Sequence, residues 1–125
     1  MGNDLQEYAI WTFSAPCEIP KDIQDMLVTN EKAMYAYKTI RDVAIFTDRR
    51  LIVRDAQGIT GKKVEVYTLP YSSIIMYSTE NSGKLLDVNS EVELWTKVGK
   101  IKINLNKQVN IREIDKLLAT YILQK

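Results

Sequence analysis

Glu91-Val92-Glu93-Leu94-Trp95-Thr96-Lys97-Val98-Gly99-Lys100-Ile101-Lys102-Ile103-Asn104-Leu105 is the stretch that decides the fold. Val92, Leu94 and Thr96 alternate with Glu91, Glu93 and Trp95, and Ile101, Ile103 and Leu105 alternate with Lys100, Lys102 and Asn104. A period of two on both sides of a glycine is the pattern of two half-buried antiparallel strands joined by a tight turn. A turn centred on Val98-Gly99 sets Leu94 against Ile103 and Val92 against Leu105 on the inner face, with Trp95 against Lys102 outside. Val98 is a poor first residue for a primed turn, which allows a slightly longer loop.

Downstream of this hairpin the period changes. Asn110 offers a helix cap, Glu113 stands three residues on at capping-box spacing, and Ile111, Ile114, Leu117, Leu118, Tyr121 and Ile122 fall on one helical face. Upstream the period is again near two. Strands are expected at Ala33–Lys38, Val43–Thr47, Leu51–Val53, Val64–Leu69 and Ile74–Thr79. Asp48-Arg49 makes one turn, Asp55–Gly61 a loop rich in turn formers, and Asn81-Ser82-Gly83 a break. Pro70 closes a strand because it cannot donate to a ladder. Before Asn30 the sequence reads as helical: Leu5, Tyr8 and Ala9 follow a cap at Asp4, and Ile23, Met26 and Leu27 follow Pro20 at a first helical position. The expected organisation is an N-terminal helical extension over 1–30 and a mainly β domain over 31–125. That domain has about seven strands in a curved, half-open barrel plugged by one amphipathic helix.

Composition agrees with one domain. The chain has 125 residues, within the ~100–200 of a typical domain, and a chain of this size buries about two-thirds of its unfolded surface. No run of ~18 apolar residues is present to span a bilayer. The first residues carry no basic n-region, and Gln6 stands where a myristoylation start wants Ser or Thr. Cys17 is the single cysteine and there is no histidine, so an internal disulfide, a Cys–His nucleophile pair and a zinc-type ligand set are all excluded. A reducing, cytoplasmic setting is the default. Net charge is +1 but uneven: Asp4, Glu7, Glu18, Asp22 and Asp25 face only Lys21 in the first thirty residues, leaving the rest basic. That falls short of a nucleic-acid binder, and none is expected.

Several segments together resemble the bacterial pleckstrin-homology (PH-like) domain family: Ile40-Arg41-Asp42, Phe46–Ile52, Gln57–Glu65, and Pro70-Tyr71-Ser72-Ser73-Ile74. Gln57-Gly58-Ile59-Thr60-Gly61-Lys62-Lys63-Val64-Glu65 is the most specific of these. The resemblance runs from about Glu31 to the C-terminal helix and carries nothing over to residues 1–30. It implies two orthogonal antiparallel sheets with a C-terminal helix, no catalytic residues, and ring-like homo-oligomers. It also implies that the loops at Arg41, Gly58–Lys63 and Val98–Lys100 meet at the barrel's open end. Lys38, Arg41, Lys62, Lys63, Lys97 and Lys100 would then surround one mouth, a candidate site for an anionic headgroup. The connection Thr39-Ile40-Arg41-Asp42 is too short for an extended phosphate-gripping loop, and Asp42 and Asp55 would offset the charge. Ordinary solubilising charge is the competing reading.

The remaining candidates also have two readings. Glu91 and Glu93 lie on one strand face roughly 7 Å apart, a spacing that suits acid–base work but also suits a solvated outer face. Gly58–Lys63 has glycines and lysines, yet the spacing is not that of a phosphate loop and a strand follows it. On Ala33–Tyr37 and Ile74–Tyr77 neither strand face is polar: Ala33, Tyr35 and Tyr37 oppose Met34 and Ala36, while Ile74 and Met76 oppose Ile75 and Tyr77. Such strands are covered on both sides. The cover is either the N-terminal segment, with Trp11 and Phe13, or another subunit, with Tyr35, Tyr37, Ile75 and Tyr77 at the interface. The function expected is a non-catalytic, self-assembling interaction or scaffold domain without cofactor or metal. Its partner is itself, as a cyclic ring, with another protein as a further candidate partner. The alternative is a peripheral anionic-lipid module using the basic mouth.

Overall fold

The computed structural model describes residues 7–57, 63–80 and 89–124. Among them are nine strands: β1 (Glu7–Phe13), β2 (Ala15–Cys17), β3 (Ala33–Lys38), β4 (Val43–Thr47), β5 (Arg50–Gln57), β6 (Lys63–Pro70), β7 (Ile74–Glu80), β8 (Ser90–Thr96) and β9 (Gly99–Leu105). The helix α1 (Ile111–Leu123) ends the fold, and short 3-10 helices occupy Lys21–Met26 and Tyr71–Ser73. The strands form a four-stranded sheet ordered β1-β9-β8-β7 and a five-stranded sheet ordered β2-β3-β4-β5-β6. Both sheets and α1 contribute to one core, which includes Phe13, Tyr37, Phe46, Leu51, Leu94, Ile103 and Leu118.

The seven strands and the helix expected after residue 30 are all present. Asn110 caps α1, accepting from the Arg112 backbone N–H at 3.0 Å. Glu113 does not close a capping box; its carboxylate instead accepts the Tyr37 hydroxyl at 2.8 Å. The β8–β9 register differs from the expected one by two residues: Leu94 pairs with Ile101, Val92 with Ile103 and Trp95 with Lys100. A slip of two keeps every side chain on its face, so Leu94 and Ile103 remain buried. Turn chemistry sets the register. The loop is Lys97-Val98, the Thr96 hydroxyl accepts the Val98 N–H and donates to the Gly99 carbonyl, and Gly99 takes φ 147°, which only glycine adopts freely.

The expected N-terminal helical extension is corrected. Residues 7–13 are a strand, and β1 runs parallel to β9, so the first sheet is not wholly antiparallel. Leu5, Tyr8 and Ala9 do read at helical spacing, but Ala9 and Trp11 lie in register with Ile101 and Ile103 on the inward side. The strand is therefore held by a tertiary partner that local spacing does not reveal. Residues 1–6 of that reading lie outside the described residues. The second piece is a six-residue 3-10 helix, with Pro20 at its cap rather than inside it.

At Ser14 the chain passes from one sheet to the other. Phe13 accepts from the Asn106 N–H at 3.0 Å, and Ser14 donates to the Lys38 carbonyl at 2.8 Å. β1 and β2 thus stitch the two sheets along one corner. Pro70 and the Tyr71–Ser73 turn make the other corner, where the buried Tyr71 hydroxyl donates to the Thr47 carbonyl at 2.6 Å.

The outer face of the five-stranded sheet carries a second apolar cluster of Ile23, Ala36, Val43, Ile45 and Ile52, flanked by Cys17, Ile19, Met26 and Leu27. Strands β3, β4 and β5 are therefore covered on both faces, which is why β4 has no exposed residue. Asn30, with φ 67°, turns the chain back into β3, a left-handed position that asparagine tolerates.

Candidate functional site

Two surfaces hold the residues singled out by sequence. The first is the barrel mouth, a depression of about 390 Å³ lined by Ile10, Trp11, Ile40, Arg41, Asp55 and Tyr67 among others. The Trp11 and Tyr67 rings meet at 5.7 Å. Arg41 reaches Asp55 at 3.7 Å, so its charge is already opposed there. Asp42 is held by Arg54, whose guanidinium also binds Asp22 at 3.0 Å. Burial works against the Arg54 charge, but these two carboxylates outweigh it and hold its pKa up.

The proposed ring of cations is therefore only partly assembled. Lys38, Lys63 and Lys97 are exposed. Lys100 sits on the outer face of the four-stranded sheet, 3.2 Å from Glu93 and over the Trp95 ring at 5.8 Å. Lys62 and the rest of Gly58–Lys62 lie outside the described residues. The loop tips beside the cations are apolar: Ile40 is 81% exposed and Val98 is 73% exposed.

The paired carboxylates Glu91 and Glu93 lie on the outer strand face, where lysines neutralise them. Glu91 is bridged by Lys102 at 3.4 Å and Glu93 by Lys100, diagonally across β8 and β9. Burial pushes the Cys17 thiol up, with Lys38 opposing, away from the thiolate that nucleophilic chemistry uses. Among the described residues no three Cys, Asp or Glu side chains gather as metal ligands. Among them, too, no helix is long and apolar enough to cross a membrane.

The second surface is the outer edge of β7, unpaired among the described residues, together with the outer face beside it. A bulge between Ile74 and Met76 resets the alternation along β7. Before it Ile74 points inward; after it Tyr77 does, opposite Leu94. Ile75 and Met76 are left outside, 65% and 53% exposed. Of the four interface candidates, only Ile75 is openly exposed. Tyr77 packs at the core's rim, where burial and Asp115 push its phenol up. Tyr35 is half-buried beside α1. Tyr37 is buried and stacks on Phe13 at 5.6 Å, so it is a core residue and not an interface residue. Burial first, and the Glu113 hydrogen bond second, push its phenol far up. Sequence reasoning missed Met76, because strict alternation assigns it to the face of Ile74.

Two β-sheets around one core closed by a C-terminal helix define a pleckstrin-homology-type fold. Residues 5–122 match the family described as the bacterial PH domain, and the chain belongs to that family. The Bacillus subtilis protein YjqA is 38% identical over 104 residues, covering 81% of this chain and 82% of YjqA. A Shewanella loihica protein with a pleckstrin-homology domain is similar in structure, with a TM-score of 0.77 and 31% identity over 86% of this chain and 96% of that one. The pleckstrin homology domain from Shewanella amazonensis has a TM-score of 0.64 and 34% identity over 81% and 82%.

Proposed function

We propose that this protein is a non-catalytic interaction domain that assembles with copies of itself through the edge of β7. The observation that carries the reading is the outer edge of β7, which no strand pairs among the described residues, with Ile75 and Met76 exposed on that strand. An unpaired edge presents backbone donors and acceptors that template pairing with another chain. Ile74-Ile75-Met76-Tyr77 has none of the charge, proline or glycine that normally guards such an edge. A head-to-tail contact whose rotation closes gives a finite ring rather than a fibre, and a net charge of +1 adds little repulsion. The carboxylate pair tied up by lysines and the raised Cys17 thiol support a role without chemistry.

Light scattering across a wide dilution range tests this reading. An oligomer that a combined Ile75→Lys, Met76→Lys variant reduces to monomer, with circular dichroism unchanged, is the expected result. A monomer at every concentration refutes it. A second reading, peripheral binding of anionic headgroups at the mouth, is favoured by the exposed apolar tips Ile40 and Val98 beside Arg41 and Lys97.

A further inference from the structure

The strand β3 is only half covered on its outer edge. β2 pairs with Ala36–Lys38 and then leaves, so among the described residues no strand pairs Ala33–Tyr35 on that side. The stretch lies beside α1, and the space between them is a groove. Two depressions of about 410 and 260 Å³ share Met34, Tyr35 and Glu113. The larger has Leu117 and Tyr121 as its apolar wall, and its volume is within the roughly 300–1,000 Å³ of ligand pockets.

The rim of this groove is positively charged. Arg112 and Lys116 are exposed, line it from α1, and have no carboxylate partner among the described residues. They stand four residues apart, a like-charge spacing that weakens a helix. Arg112 also lies in the first turn, where the helix dipole disfavours a cation. Glu113, the acid between them, is turned to the Tyr37 hydroxyl. At the far end of the groove the exposed Glu18 is negative, which repels acids there and favours them over α1.

We propose that this groove docks an extended acidic segment of another protein, which adds as a short strand to Ala33–Tyr35 in line with β2. Backbone pairing supplies the grip, one apolar side chain enters between Met34 and Leu117, and carboxylates lie over Arg112 and Lys116. The site is separate from the β7 edge and does not depend on self-assembly.

The probe is a short fluorescein-labelled peptide of alternating leucine and glutamate, titrated by anisotropy into the intact chain and into the Ile75→Lys, Met76→Lys variant. Saturable binding to both, weakened by added salt, is expected. An Arg112→Glu, Lys116→Glu variant that retains its circular dichroism should bind about tenfold or more weakly. The single Lys116→Glu variant should fall between. The same peptide N-methylated on alternate amides should also bind more weakly. Absence of saturable binding, equal binding of a leucine–lysine peptide, or indifference to the charge reversal or to N-methylation would each overturn the proposal. So would a charge reversal that changes the mass in light scattering but not peptide binding, because the groove would then hold a second copy of this chain.

Discussion

Glu31→Gln removes one charge from an enclosed ionic cluster and leaves the side chain's shape in place. The Glu31 carboxylate accepts from the Arg50 guanidinium at 2.9 and 3.1 Å, from the Thr47 hydroxyl at 2.7 Å and from the Val28 N–H at 3.0 Å. Arg50 also donates to the Met26 carbonyl at 2.7 Å. The cluster therefore ties the end of the 3-10 segment, and with it the cover over the outer sheet, to the β4–β5 hairpin. Burial by itself would raise the Glu31 pKa, but the bonds from Arg50, Thr47 and Val28, with the Arg50 charge, outweigh it and hold it at about 2 against an ordinary 4.5. That difference corresponds to on the order of 3 kcal/mol of stability. Because the folded value is the lower one, this stability is full above the unfolded value of 4.5 and is lost as pH falls through about 2. Urea unfolding followed by tryptophan fluorescence and circular dichroism gives the measurement. At neutral pH the variant should be less stable by about 3 kcal/mol, or roughly 10 °C in Tm. The gap should close toward zero near the folded pKa. A gap under ~0.5 kcal/mol at neutral pH, or one that stays constant into strong acid, would refute the reasoning, because the charge would not then be its source.

Three further outcomes are expected. Leu94→Ala should cost about 2–5 kcal/mol in the same unfolding assay, since Leu94 is buried between the sheets; a loss under ~0.5 kcal/mol would contradict its inward placement. Tyr37→Phe should cost about 1.5 kcal/mol by removing the hydroxyl donated to Glu113, and a neutral result would mean that water replaces that bond. If the mouth binds anionic headgroups, sedimentation with acidic vesicles should fall with salt and in a Lys62→Ala, Lys63→Ala variant; no binding, or binding unchanged by both, removes the lipid reading.

The two strands without a polar face show how far sequence reasoning reaches. Apolar residues on both faces of Ala33–Tyr37 and of Ile74–Tyr77 require cover or exposure, and that was legible from alternation alone. The two strands resolve it differently. β3 is covered by the N-terminal segment on both faces: Phe13 stacks on Tyr37 inside the barrel and Ile23 and its neighbours lie over the outer face, while Trp11 meets Tyr67 at the mouth. Among the described residues nothing covers the outer side of β7, and a bulge turns Ile75 and Met76 outward. The basic mouth was only partly legible for a related reason. Cations can be counted in a sequence, but Asp55 on β5 against Arg41 in the β3–β4 loop, and Glu93 on β8 against Lys100 on β9, are pairings that only the fold brings about.

By itself the sequence determined the seven strands after residue 30, the capped helix, the inward faces of β8 and β9, and the family. Each of these is encoded by near neighbours: a period of two, a period near 3.6, a cap, a turn motif. The tertiary structure decided what neighbours along the chain cannot carry. β1 is a strand because β9 accepts it in parallel, although its own spacing reads as helix. The hairpin register follows from Gly99, because a slip of two preserves every face and so is invisible to hydrophobic pattern. Which of two doubly apolar strands stays uncovered depends on where residues 17–27 pack, and that is settled by burial across the whole molecule rather than by any local propensity.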